Sequence, residues 1–189
     1  MLRKGKTPFA ILGMLAREPL SGYDIKRLTD CSTQHFWAES YGNLYPTLKK
    51  LQAQKLVTHR TIAQTGKPDR KIYSITPAGR KVLLEWLEHP VEFAPPRSEL
   101  LLKLFFGDQI PLEKTCEHLQ GFAARERNRL AGFTKLKTWL EEEHSNDVRL
   151  PFWLSTLSFG RHEAEARIEW AEETLTTLIR KQPKVERSP

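Results

Sequence analysis

Cysteine is scarce in this 189-residue chain: only Cys31 and Cys116 occur. They fall in different expected elements, with no His or Cys at ligand spacing. A disulfide framework and a zinc site are therefore not expected, and both thiols read as reduced and buried. No stretch approaches the roughly 20 apolar residues that a membrane-spanning helix needs. The opening MLRKGKTPFAILGMLAREP has a basic start and a short apolar run, but Pro8 interrupts it and Arg17 and Glu18 follow at once. It also lacks a small-residue cleavage site, so it does not read as a signal peptide. A soluble, cytoplasmic protein without membrane association is the expectation. Catalytic signatures are missing too. There is no Gly-rich phosphate loop, HExxH, GxSxG or paired-carboxylate constellation, and EEEH at 141–144 reads as a solvated patch at a helix end. Neither enzyme activity nor a cofactor is expected.

What the chain does have is segregated charge. The formal net charge is +7 and the isoelectric point about 9.5. Residues 1–90 carry 15 Lys and Arg against 7 Asp and Glu, a balance of +8, whereas residues 91–189 carry 15 against 16, a balance of −1. A +7 total alone says little, because many proteins are mildly basic. A basic half joined to a neutral half suits a nucleic-acid reader with a separate partner domain.

The basic half reads as helices interrupted by one hairpin. Thr7-Pro8 opens a first helix with Thr7 as cap and Pro8 at the first helical position, and Phe9, Ile11, Leu12, Met14 and Leu15 supply its buried face. Ser21 caps a second helix, with Asp24 as a capping-box partner and Tyr23, Ile25 and Leu28 as apolar positions. Phe36 and Trp37 are large enough to plug the corner before a third helix. There Tyr41, Leu44, Leu48 and Leu51 form one stripe facing the core. Asn43, Thr47, Lys50 and Gln54 are spaced for the opposite face, with Lys49 at its edge. Pro46 lacks an N–H, so this helix is expected to begin only a turn earlier, with Asn43 as a plausible cap. Val57–Ala63 and Lys71–Thr76 suit paired strands, joined by a connection of about seven residues, QTGKPDR, longer than the usual 2–5. Lys67 and Arg70 make that connection cationic. Thr76-Pro77 caps a fourth helix carrying Val82, Leu83, Trp86 and Leu87. Helix, cationic hairpin, helix is the order of a winged helix-turn-helix, a module that lays a helix and a loop on DNA.

After His89-Pro90 and Pro95-Pro96 the sequence is helical throughout. A short apolar helix covers Leu100–Phe106. Residues 112–144 and 153–181 then place apolar side chains at three- and four-residue steps. Helices of about thirty residues far exceed the average of about 11–12 and need a long surface to pack on. A second copy of the chain is expected to supply it.

SGYDIKRL, YGNLYPTLKKL, VTHR, GKPDRKIYSITPAGRKVLLEWL and ELLLKLFFG together resemble the PadR family of transcriptional regulators, phenolic-acid-responsive winged-helix proteins. The C-terminal half is similar to the helical dimerisation region of the longer PadR subfamily and of related virulence activators. The resemblance implies a homodimer on an inverted-repeat operator in double-stranded DNA, usually a repressor and sometimes released by a small molecule. It places Tyr41, Asn43, Tyr45, Thr47, Lys49 and Lys50 where the recognition helix meets DNA, and Lys67 and Arg70 in the wing. The family commonly has Glu-Gly after that helix, where this chain has Gln54-Lys55. Lys55 then takes a left-handed conformation at a cost of roughly 1–2 kcal/mol, or the helix ends differently.

The expected fold is therefore mostly α: a winged helix-turn-helix over residues 1–90, a linker over 91–97, an α-helical dimerisation domain over 98–182 and a disordered tail over 183–189. Lys and Arg are expected on phosphates, Asn43 and Thr47 on base edges. Tyr45 suits a phosphate hydrogen bond and packing on the second helix equally well. Phe152, Trp153 and Trp170, with Phe159 and His162 nearby, are candidates for a small aromatic effector, against the plainer reading of core or dimer packing. An adaptor that binds protein through its winged helix would show a neutral recognition face, unlike this cationic one.

Overall fold

The computed structural model describes residues 5–37, 40–63, 66, 69–92 and 97–180. They are mostly helical, with one small antiparallel sheet, and the chain divides into two compact units, Met1–Phe93 and Ala94–Pro189. Residues 93–96 of the expected linker, the tail 183–189 and the side chain of Cys31 lie outside the described residues. Cys116 is a free thiol, half-buried.

In the first unit α1 (Thr7–Leu15) buries Ile11, Leu12, Met14 and Leu15. Its N-cap is Lys6 and not Thr7, and Pro8 sits at the second helical position, where a missing N–H still costs nothing. Two residues, Leu20–Ser21, form an unanticipated strand β1. Ser21 is also the N-cap of α2 (Gly22–Ser32): its Oγ accepts the Asp24 N–H at 3.2 Å and the Asp24 carboxylate accepts the Ser21 N–H at 3.0 Å. This is the capping box read from the sequence. Ile25 is buried, but Tyr23 and Phe36 are exposed, so neither fills the core position expected of it.

The stripe of α3 (Tyr41–Ala53) is Leu44, Leu48 and Leu51, all at most 1 % exposed; Tyr41 is 47 % exposed and lies outside it. The helix starts five residues before Pro46, further upstream than a single turn. Ser40 is its N-cap, its carbonyl accepting the N–H of Asn43 and of Leu44 at 3.1 and 3.0 Å. Asn43 is thus in the first turn and is not the cap. Pro46 leaves only the Gly42 carbonyl without its helical donor, a loss confined to the solvent side. Strands β2 (Val57–Ile62) and β3 (Arg70–Ile75) pair from Val57↔Ile75 to Ile62↔Arg70, and β1 adds to β3 through Leu20↔Tyr73, giving the order β1-β3-β2. β2 ends one residue before the expected Ala63 and β3 begins one residue before the expected Lys71. The seven residues between the strands are therefore 63–69, and Arg70, expected in the connection, opens β3. Helix α4 (Pro77–Glu88) follows, capped by Thr76 Oγ1, which accepts the Gly79 N–H at 3.0 Å. One core gathers the α1 aliphatics, Ile25, the α3 leucines, Val57, Tyr73 and Leu83, and Phe9 stacks on Trp86 at 4.6 Å beside it.

The exit of α3 resolves the question posed by Lys55. Its φ is +59°, and two hydrogen bonds close the turn: Lys55 N–H to the Gln52 carbonyl and Leu56 N–H to the Leu51 carbonyl, both at 2.9 Å. This is a Schellman motif, with the hydrophobic pair Leu51 and Leu56 buried beneath it. A lysine holds a position that glycine would occupy more cheaply. The same turn is tied to α4, because Thr76 Oγ1 lies 2.8 Å from the Lys55 carbonyl oxygen and the Thr76 N–H donates to the Leu56 carbonyl at 3.0 Å. That approach leaves no room for a side chain at Gly79, whose Cβ would lie 2.1 Å from the Leu56 carbonyl oxygen.

In the second unit α5 (Glu99–Phe105) leads through a 3₁₀ turn (Gly107–Gln109) to α6 (Leu112–Glu143), which folds back on α7 (Leu150–Arg180). Pairs such as Phe122–Trp170 and His144–Trp153 make the two long helices antiparallel. Two apolar clusters hold them together. Phe133, Leu140, Leu157 and Ala164 form one; Leu119, Ala123 and Ala171 form the other, with Leu104 of α5 packed on it. Small residues at Ala123, Gly160, Ala164 and Ala171 let the backbones approach closely. Glu126, Arg129, Glu163 and Arg167 form an ionic quartet across the pair: Arg129 lies 2.5 Å from Glu126 and 3.5 Å from Glu163, and Arg167 lies 3.6 Å from Glu126 and 2.9 Å from Glu163. Glu126 is buried, so removing either arginine partner leaves an under-compensated charge.

Two substitutions separate these effects. Lys55→Gly should raise the melting temperature of the first unit, because relief of about 1–2 kcal/mol of left-handed strain exceeds the roughly 0.5–1 kcal/mol entropic cost of glycine. Gly79→Ala should destabilise by about 1–3 kcal/mol or more through overpacking. Thermal unfolding of both variants checks this; a lowered midpoint for Lys55→Gly would contradict the strained cap.

Candidate nucleic-acid interface

The leucine stripe turns the opposite side of α3 outward. Asn43, Tyr45, Pro46, Lys49 and Lys50 are exposed there and Thr47 is half-buried at the edge. No Asp or Glu occurs between Tyr41 and Ala53. Among the described residues, neither Lys49 nor Lys50 has a carboxylate partner, and the Asn43 amide makes no hydrogen bond. Thr47 is different: its hydroxyl donates to the Asn43 carbonyl at 2.7 Å. Its methyl group and oxygen lone pairs remain for an incoming ligand, but its proton is engaged.

The tyrosines have less freedom than the lysines. A Cβ placed on Gly22 would lie 2.6 Å from Tyr45 Cε1, so the Tyr45 ring rests directly on the start of α2. Tyr41 stacks on Tyr45 at 6.2 Å, and the Lys26 ammonium sits 5.5 Å over the Tyr41 ring while also pairing with Asp30. Packing against α2 is therefore the observed role of Tyr45. Beneath it the Tyr73 phenol is pushed up in pKa, first by burial and then by the neighbouring Tyr45 hydroxyl.

On the hairpin, Arg70 reaches Asp24 at 2.5 Å. Lys67 lies outside the described residues. Arg60 on β2 and Lys71 on β3 are exposed and have no ion-pair partner among the described residues. Neither was singled out from the sequence, where both sat inside runs read only for their β-branched pattern. Elsewhere in this unit Lys6 pairs with Glu92 and Lys81 with Glu85. Among the described residues of this unit, cations without an ion pair lie on α3, its exit turn and the hairpin strands, with Arg27 on α2 and Arg80 on α4 as further ones; Arg80 donates instead to the Ala16 carbonyl at 3.1 Å.

The model of the transcriptional regulator PadR-like family matches residues 11–85, and that of the virulence activator alpha C-terminal region matches residues 96–178. The chain thus carries a PadR-like domain followed by a virulence-activator alpha C-terminal domain. It is 27 % identical over 187 residues to the probable transcriptional regulator Rv1176c of Mycobacterium tuberculosis, covering 92 % of this chain and 98 % of that one. It is 36 % identical over 99 residues to the negative transcriptional regulator PadR of Bacillus subtilis, covering 52 % of this chain and 54 % of that one. The structure of that PadR in complex with operator DNA superposes with a TM-score of 0.78 at 24 % identity, covering 90 % and 98 % of the two chains. The Vibrio cholerae virulence activator AphA superposes at 0.72 with 28 % identity, covering 92 % and 98 %.

The aromatic residues expected to hold an effector are not gathered into one pocket. Trp153 packs in the cluster around Phe133 and Leu157 and lies under the Arg149 guanidinium at 5.2 Å. Trp170 belongs to the other cluster, edge-on to Phe122 at 5.9 Å. Phe152 is 72 % exposed, Phe159 is exposed too, and His162 is exposed beside Glu165. A groove in the first unit is instead lined by Phe9, Gln54, Leu56, Val82, Trp86 and His89 among others. Among the described residues no three His, Cys, Asp or Glu side chains are gathered closely enough to hold a metal ion, and no helix is long and apolar enough to cross a membrane.

Asp24 supplies a pH test of this geometry. Burial alone would raise its pKa, but hydrogen bonds from the Ser21 hydroxyl and amide, then the hydrogen bond and charge of Arg70, outweigh it and hold it below the ordinary value of 3.8. A folded-state pKa below the unfolded one stabilises the protein above about pH 4, and that contribution is lost as pH falls through the folded value. The stability difference between wild type and Asp24→Asn, from urea unfolding, should be constant above about pH 5 and shrink below pH 4. A difference that grows in acid would contradict it.

Proposed function

We propose that this regulator binds double-stranded operator DNA as a homodimer and represses, with α3 in the major groove and the hairpin loop beside it. The observation that carries the reading is the outward side of α3: an unpartnered amide and two unpaired lysines on a helix without a carboxylate. Lys49 and Lys50 set affinity and register through phosphate; Asn43 reads a base edge; Thr47 offers its methyl to a thymine. Tyr41 borders this face, Tyr45 supports it from α2, and Lys67 would extend it along the loop. Repression is drawn from Bacillus subtilis PadR, which was also crystallised with operator DNA and with p-coumaric acid. Aromatic acids are therefore the first effectors to test.

Exposed apolar surface on the second unit supports the dimer. Leu101, Leu102, Phe105 and Phe106 lie open on and just after α5, and Phe152 and Phe159 lie seven residues apart on α7. Exposed apolar surface of this kind marks an interaction site. Two copies would read half-sites about one helical turn apart, or a multiple of it.

A footprint on the DNA upstream of the chain's own gene, repeated with aromatic acids, tests the whole reading: protection is expected, with release by one compound. Exchanging Lys49 and Lys50 for Gln should weaken binding to every sequence and flatten the salt dependence by about 0.9 per lost phosphate contact. Asn43→Ala should instead blur the preference at one base pair, by about 1–3 kcal/mol. Unchanged affinity and slope in the lysine variant would contradict DNA binding, and a stable monomer by light scattering at micromolar concentration would contradict the dimer.

A further inference from the structure

Arg70 stands at the first position of β3, opposite Ile62, where the hairpin leaves its loop. A cation there would ordinarily be counted as a phosphate contact. Its Nη2 is instead 2.5 Å from Asp24 Oδ2, an oxygen that already accepts the Ser21 N–H at 3.0 Å and the Ser21 hydroxyl at 2.6 Å. The carboxylate is thus fixed by the capping box of α2, in the first turn, where the helix dipole favours negative charge. An exposed ion pair contributes little when both side chains must be ordered to form it. Here one partner is immobile beforehand and is only 19 % exposed, so closing the pair orders Arg70 alone. The pair joins the hairpin to α2 across 46 residues of sequence and leaves Arg70 with no uncompensated charge. Arg60 and Lys71 on the same hairpin keep theirs.

We propose that Arg70 is a strut and not a phosphate contact: Asp24 holds it, setting the angle of the hairpin on α2, and the strands of the hairpin attract phosphate through Arg60 and Lys71. This rests on the DNA-binding reading above. Asp24 is then a positioning residue with a second effect, because it withholds one guanidinium from DNA. Asparagine at that position still offers an oxygen to the Ser21 N–H but no charge to Arg70.

The test is the slope of log K against log salt for a duplex of arbitrary sequence, measured on the full chain with thermal unfolding of each variant alongside. Exchange of Arg60 and Lys71 for Gln should flatten the slope by about 0.9 per lost contact. Arg70→Gln should lower the melting temperature and leave the slope unchanged. Asp24→Asn should steepen the slope by about 0.9 and tighten binding about five- to ten-fold at 0.1 M salt, as Arg70 is released to phosphate. The proposal is overturned if Arg70→Gln flattens the slope, or if the Arg60 and Lys71 exchange does not. It is also overturned if folded Asp24→Asn binds no tighter than wild type. Should Asp24→Asn fail to fold, the Arg70→Gln slope decides alone. Failure of the underlying reading looks different, because exchange of Lys49 and Lys50 would then change neither affinity nor slope.

Discussion

The first unit depends on the burial of three leucines on one helix. Each of Leu44, Leu48 and Leu51, at most 1 % exposed, contributes about 1.5–3 kcal/mol relative to an exposed side chain. Their common direction fixes the rotation of α3 about its axis. Asn43, Lys49 and Lys50 face outward as a consequence and need no partner of their own. The exit turn makes this rotation hard to change: the Schellman bonds end the helix at Gln54, and Thr76 ties that turn to α4. A strained lysine and an obligatory glycine are held at one junction because the chain must leave α3 and enter β2 within three residues.

The second unit solves a different problem with the same economy of contacts. Among the described residues of the second unit, two helices of 32 and 31 residues pack on each other and on the short α5 and the 3₁₀ turn after it. Alanines and a glycine bring them close at three levels, and the quartet of Glu126, Arg129, Glu163 and Arg167 joins them between the apolar clusters. The large aromatic side chains are placed unevenly: Trp153 and Trp170 are in the two clusters, whereas Phe105, Phe106, Phe152 and Phe159 are left open. A unit that buries small alanines and leaves four of its phenylalanines open has surface suited to a further contact.

Much of this was legible in the sequence because the signals were local. The capping box of Ser21 and Asp24, the cap at Thr76-Pro77, the period of the α3 leucines and the seven-residue hairpin connection all involve residues within a few positions of one another. What escaped were contacts between distant segments. The start of α3 lies upstream of the expected place because Pro46 removes only one hydrogen bond, to the exposed Gly42 carbonyl, and so does not force the helix to begin within a turn of it. The sequence marks Asp24 as a capping-box partner and Arg70 as a wing cation, and only the fold brings the two together. Arg60 and Lys71 stand out only once the carboxylates that neutralise other lysines and arginines are located. Tyr23 and Phe36 show the converse error, since an apolar ring near a predicted core is not thereby in it.

The central claim is that the outward side of α3 is the DNA face, and the most direct measurement of it is protection of individual lysines. Acetylation of the full chain with a limiting reagent, read residue by residue by mass spectrometry with and without duplex DNA from upstream of its own gene, reports each ammonium separately. Lys49 and Lys50 should lose reactivity when DNA is bound, while Lys114 and Lys137, each paired with a glutamate on α6, should keep theirs. Equal protection at all four positions, or protection of the α6 lysines alone, would contradict the account.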